Sequence, residues 1–137
     1  MKIEYRQALF EVYKILENTD EEIINKIPEK FMKFVKENMD TNYKFELEKG
    51  KELIKQNLKD ETKQIIALIY KDYICDEKEV INDYNINFNR NKELEKEGLQ
   101  KENNIENIEK SLLEIKREKW YKKLINKILK FFKIKEG

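Results

Sequence analysis

Only one proline and three glycines punctuate 137 residues, and that scarcity constrains the fold more than any other feature of the chain. A β-sandwich or barrel needs turn chemistry roughly every 8–12 residues, which Pro28, Gly50, Gly98 and Gly137 cannot supply. The expectation is therefore an all-α protein, a small helical bundle. At this length one modest core can form, and a second full domain is not expected. Charged residues make up 42% of the chain and hydrophobic residues 39%, so much of each helix must face water. The chain has no His and one Cys, Cys75, and its only Ser is Ser111. Triads built on His, His-ligated metals and Cys-clustered zinc are thereby excluded, and no cofactor is expected.

The formal net charge of +1 conceals an asymmetry. Lys116 to Glu136 holds nine basic and two acidic residues, net +7, while residues 1–115 hold 20 basic and 26 acidic ones, net −6. An acidic body with a basic end points to an interaction segment. Lys outnumbers Arg 26 to 3, a bias that AT-rich coding also produces. The N-terminal MKIEYRQALFEVYK lacks the apolar run of a signal peptide, and no stretch nears the ~20 apolar residues of a membrane span. With a lone Cys, the expected compartment is the cytoplasm, with attachment to the inner face of the membrane left open.

Along residues 3–17, Ala8, Leu9, Val12, Ile15 and Leu16 share one helical face, with Glu, Arg and Lys placed opposite. Thr19-Asp20-Glu21-Glu22 has the form of a capping box before Ile23, Ile24 and Ile27. Pro28 suits the first position of a third helix, EKFMKFVKEN, ending near Asn38. Tyr43, Phe45 and Leu47 alternate with polar residues, giving an extended connector that lacks a partner strand. Asp60 is placed to cap a helix from Thr62 to Cys75 that is apolar nearly all round. Such a helix belongs at the centre of its bundle, packed by the first and third helices. From about residue 89 to 104 the composition is that of a polar linker or exposed helix, and 1–88 is the expected helical body. Asp72, Asp76, Glu77 and Glu79 cluster by sequence alone and read as solvated surface.

The most specific pattern lies in residues 105–137, expected to form a basic amphipathic helix to about 134. Ile105, Ile108, Leu112 and Ile115 repeat at 3-4-3 spacing, two heptads of an apolar seam. Turning 100° per residue from Trp120 as zero, Phe131, Leu124, Ile128, Tyr121, Phe132, Ile125 and Leu129 fall between roughly 20° and 180°. Lys119, Lys122, Lys123, Lys127, Lys130 and Lys133 occupy roughly 200° to 340°. Two destinations fit such a helix. It can dock its aromatic face on the protein's own core, the ordinary fate of an amphipathic helix. Alternatively it serves an outside partner, with Trp120, Tyr121, Leu124, Ile128, Phe131 and Phe132 as anchors and Lys119, Lys123, Lys127 and Lys130 steering. A protein groove comes first among such partners and an anionic membrane surface second. Nucleic acid comes last, because Arg, its best bidentate reader, is nearly absent.

Ile27-Pro28-Glu29-Lys30-Phe31, Asn38 to Phe45, Asp60-Glu61-Thr62-Lys63 and Ile69-Tyr70-Lys71-Asp72-Tyr73 give residues 5–77 a family likeness. The chain resembles a group of small helical proteins of low-GC Gram-positive bacteria and their mobile elements. The resemblance implies a helical N-terminal part, a polar linker and a basic, aromatic C-terminal helix, and it implies no activity. The functional expectation is a non-enzymatic interaction or regulatory protein. The alternatives are a peripheral membrane protein using the same helix, and a mobile-element inhibitor of a host enzyme acting through its acidic body.

Overall fold

The protein, represented by a computed structural model, is described here over residues 1–48, 50–74 and 105–132. The expected linker at 89–104, the boundary at 88, and Cys75, Asp76, Glu77 and Glu79 lie outside these residues. Among the described residues the elements are α1 (Ile3–Glu17), α2 (Glu21–Ile24), α3 (Glu29–Asn38), a 3-10 turn (Leu53–Lys55), α4 (Asp60–Ile69), a π-helical turn (Tyr70–Ile74), α5 (Ile105–Arg117) and α6 (Lys119–Phe131). The fold is all-α, and no strand occurs among the described residues.

α4 lies at the centre. Gln64, Ile65, Ile66, Ala67, Leu68 and Ile69 are buried in succession, so the helix is enclosed on every side. That matches its apolar circumference, yet its neighbours differ from expectation. α1, α5 and α6 pack against α4, whereas α3 packs on α1 and reaches the π turn through the Phe31 and Tyr73 rings, 5.6 Å apart. The reason is area. Three buried apolar residues on α3, Phe31, Phe34 and Val35, cover one neighbour, while α5 and α6 together bring Ile108, Leu112, Ile115, Trp120, Leu124, Ile128, Leu129 and Phe132 to the core.

The expected single helix from 105 to 134 is two helices. Glu118 breaks it with extended backbone (φ −75°, ψ 138°), and its N–H bonds the Ile115 carbonyl at 3.0 Å. The helical wheel explains the break. On the scale that sets Trp120 at zero, Ile108, Leu112 and Ile115 fall at about 220–280°, inside the lysine arc and opposite the Trp120 face. A straight helix would turn one of its two apolar faces to water. Breaking at Glu118 lets both face α4.

Three local expectations are also corrected. Thr19 forms no capping box: its hydroxyl donates to the Ile15 carbonyl at 2.7 Å, and Asp20, the residue before α2, makes no side-chain cap. Thr19 is buried, so its nearest acceptor is the end of α1. Pro28 precedes α3 by one residue, at φ −60°, ψ 144°. Asp60 caps nothing: Lys59 is the N-cap of α4, with no side-chain bond of its own.

Glu11, placed by sequence on the outer side of α1, takes over that end of α4. It is 1% exposed. Its Oε1 accepts the Lys59 N–H at 3.1 Å and the Thr62 hydroxyl at 2.8 Å, and its Oε2 accepts the Tyr43 hydroxyl at 2.6 Å. A carboxylate at a helix N-terminus meets unpaired N–H groups and the positive end of the dipole. Glu11 thus caps α4 from α1, and through Tyr43 it fixes the connector as well.

The connector from Tyr43 to Glu48 is neither helix nor strand, and Gln56 ties its end in place. Its Oε1 accepts the Glu48 N–H at 3.0 Å, and its Nε2 donates to the Glu48 and Lys51 carbonyls at 2.9 and 3.0 Å. Gly50 turns the chain there at φ 74°, a left-handed conformation that suits Gly. Gln56→Ala should cost about 1–3 kcal/mol, since it orphans backbone groups around a buried amide. A urea melt checks this, and a loss below about 0.5 kcal/mol would mean that water replaces the amide freely.

Candidate functional site

α6 is held by its aromatic and aliphatic arc. Trp120, Leu124, Ile128, Leu129 and Phe132 are buried against α4 and the 3-10 turn, with Leu53 of that turn also in the core. Four of the six apolar anchors singled out by sequence, Trp120, Leu124, Ile128 and Phe132, therefore have no surface to offer in this conformation. Tyr121 is half-buried. Burial, and then the nearby charges of Asp60 and Glu61, push its phenol up to about 12. Phe131 remains 41% exposed, its ring meeting Tyr70 edge-on at 5.4 Å and Phe132 at 6.0 Å.

The opposite arc is polar throughout. Lys119, Lys122, Lys123, Asn126, Lys127 and Lys130 are all exposed, and α6 carries no acidic residue. Lys116 and Arg117 extend the same charge from the end of α5. Ion pairs among the described residues join Lys14 to Glu17, Lys33 to Glu37 and Lys51 to Glu48. Lys119, Lys122, Lys123 and Lys130 take part in none of them. Five like charges on a helix only 13 residues long repel one another, and packing on the other side holds them together. The structure thus gathers Lys119, Lys123, Lys127 and Lys130 on one accessible face and turns Trp120, Leu124, Ile128 and Phe132 inward.

Two further features escaped the sequence reading. Glu11 is one, although its position between Ala8 and Ile15, three and four residues away on the buried face, was a usable signal. The other is a cleft of about 30 Å³ at the π turn, lined by Phe31, Leu68, Asp72, Tyr73, Asn107, Ile108 and Ser111. It has room for water. Only tertiary packing assembles it, because its residues come from segments far apart in the chain. Among the described residues no three of His, Cys, Asp and Glu gather as a metal site, and no helix is long and apolar enough to cross a membrane. No protein-family model, curated protein or solved structure matches the chain, so function is argued from its own residues.

The tyrosines give a prediction in pH. Burial, followed by the hydrogen bond to Glu11 and that residue's charge, pushes Tyr43 up to about 12, as burial does Tyr121. An unfolded phenol ionises near 10. The folded state therefore holds these two protons longer, and the stability they contribute is complete below about pH 10 and lost as pH rises toward 12. Denaturant midpoints should fall between pH 9.5 and 11.5 or so, and the fall should shrink in Tyr43→Phe and Tyr121→Phe. An unchanged pH slope in both variants would contradict this placement of the phenols.

Proposed function

We propose that the protein is a non-enzymatic interaction protein of the cytosol, which presents the lysine face of α6 to a negatively charged partner. The aromatic face, which by sequence was the stronger candidate for partner contact, has a different task in this reading: it fixes α6 so that the lysines stay in register. The observation that carries the proposal is the row of exposed cations Lys119, Lys122, Lys123 and Lys130, which enter none of the ion pairs among the described residues, on a helix without a single acidic residue. A protein of net charge +1 with an acidic remainder has little general attraction for anions, so any anion binding must be local to this face. The lack of His and the single Ser support the non-enzymatic part of the reading.

The test compares two fourfold variants of equal charge change. One replaces Lys119, Lys122, Lys123 and Lys130 by Gln; the other replaces the exposed Lys26, Lys30, Lys36 and Lys44. Binding is measured to poly-L-glutamate, to a short DNA duplex and to phosphatidylserine vesicles. At least one probe should be bound by the wild type and by the second variant and released by the first. Equal behaviour of the two variants on every probe would refute the reading.

A further inference from the structure

We infer that the lysine face of α6 docks on an anionic lipid bilayer, an inference that rests on the proposed function and names its partner. Shape is the first argument. The lysines spread over about 140° of the outer side of a helix about 20 Å long, a convex cationic strip. A protein groove would take apolar anchors, and α6 keeps Trp120, Leu124 and Ile128 in its own core. A duplex reader would use Arg forks, and the strip has Arg117 alone beside its lysines. Point charges on flexible stems suit a diffuse negative plane, where each counts without fixed geometry.

Phe131 supplies the second argument. It is 41% exposed at the C-terminal end of α6, and on the helical wheel it borders Lys127, about 40° away. An aromatic ring at the edge of a lysine strip is placed to enter the headgroup layer while the ammonium groups stay at the phosphates. Charge distribution supplies the third. Residues 1–115 carry net −6 against +7 for Lys116 to Glu136, so the attraction to a negative plane is concentrated at this end of the chain. The bilayer would be met side-on, with α6 parallel to its surface.

The experiment is co-sedimentation of the full chain with vesicles of phosphatidylcholine alone and with about 30% phosphatidylserine, at about 50 and 500 mM salt. Binding is expected only with phosphatidylserine, falling at least tenfold at the higher salt. Each lysine near such a surface contributes roughly fivefold, so the fourfold α6 variant should lose at least a hundredfold. The fourfold variant at Lys26, Lys30, Lys36 and Lys44 should stay within about threefold of wild type. Phe131→Ser should weaken binding several-fold and leave its salt dependence unchanged. Circular dichroism checks that each variant keeps its helices. Poly-L-glutamate or duplex binding that depends on the α6 lysines, with no vesicle binding, would overturn the lipid partner and leave the proposed function standing. Vesicle binding lost equally in both fourfold variants would overturn the face itself, and no binding to any probe would overturn both.

Discussion

Glu11→Ala should lower the unfolding free energy by about 3–5 kcal/mol, a large part of the 5–15 kcal/mol that holds a typical domain together. The size follows from what the carboxylate does. Three donors from two other segments, the Tyr43 hydroxyl, the Lys59 N–H and the Thr62 hydroxyl, converge on it in a site that is 1% exposed. Alanine leaves all three without this acceptor, opens a cavity, and removes the side-chain cap that Glu11 gives α4. Glu11→Gln keeps the shape and one acceptor oxygen, and should cost less, about 1–3 kcal/mol, because its NH₂ must confront one of the donors. Tyr43→Phe removes a single bond and should cost about 1–2 kcal/mol. Urea unfolding of the three variants sets the order. A Glu11→Ala protein as stable as wild type would mean that water enters and satisfies the site.

Ending the chain after Asn104 should abolish cooperative folding. That cut removes eight buried side chains, Ile108, Leu112, Ile115, Trp120, Leu124, Ile128, Leu129 and Phe132, all of which belong to the same cluster as α1, α3 and α4. It strips two of the three helices that pack on α4 and leaves an apolar helix facing water. At roughly 1.5–3 kcal/mol for each large side chain, the loss exceeds the net stability of an ordinary domain. A milder version of the same prediction is Leu112→Ala. That residue is 0% exposed, and its loss should cost about 2–5 kcal/mol. A truncated chain with a sharp urea transition would show that residues 1–104 fold without the C-terminal helices.

The fold class and the limits of α1 and α3 were legible because local signals dominate there. Few breakers, a clean 3.6-residue period and Pro28 each act over a few residues. The centrality of α4 was legible for a similar reason, since a helix apolar on all sides has only one place to go. Capping was not. Thr19 and Asp60 carry the right side chains, but the bonds depend on what else is near: a free carbonyl at Ile15 for one, and the carboxylate of Glu11 for the other. The break at Glu118 was latent in the wheel, visible once the Ile108 and Trp120 faces are plotted together rather than apart. Of the candidate site, the lysines stand where the pattern put them. The anchors Trp120, Leu124, Ile128 and Phe132 turn inward, because one wide apolar face satisfies a core and a groove equally well, and periodicity cannot tell which is nearer.

The account turns on whether α6 is part of the core, and the chain carries its own reporter in Trp120, its single tryptophan, 6% exposed on that helix. Urea unfolding followed by Trp fluorescence reads the docking of α6, while far-UV circular dichroism reads all the helices. The two curves should coincide, with one midpoint and one slope, because a helix woven into the cluster leaves it only when the cluster unfolds. A fluorescence transition at clearly lower urea than the dichroism transition would contradict this, showing α6 to detach from a body that stays folded and returning Trp120, Leu124 and Ile128 to the surface as partner anchors.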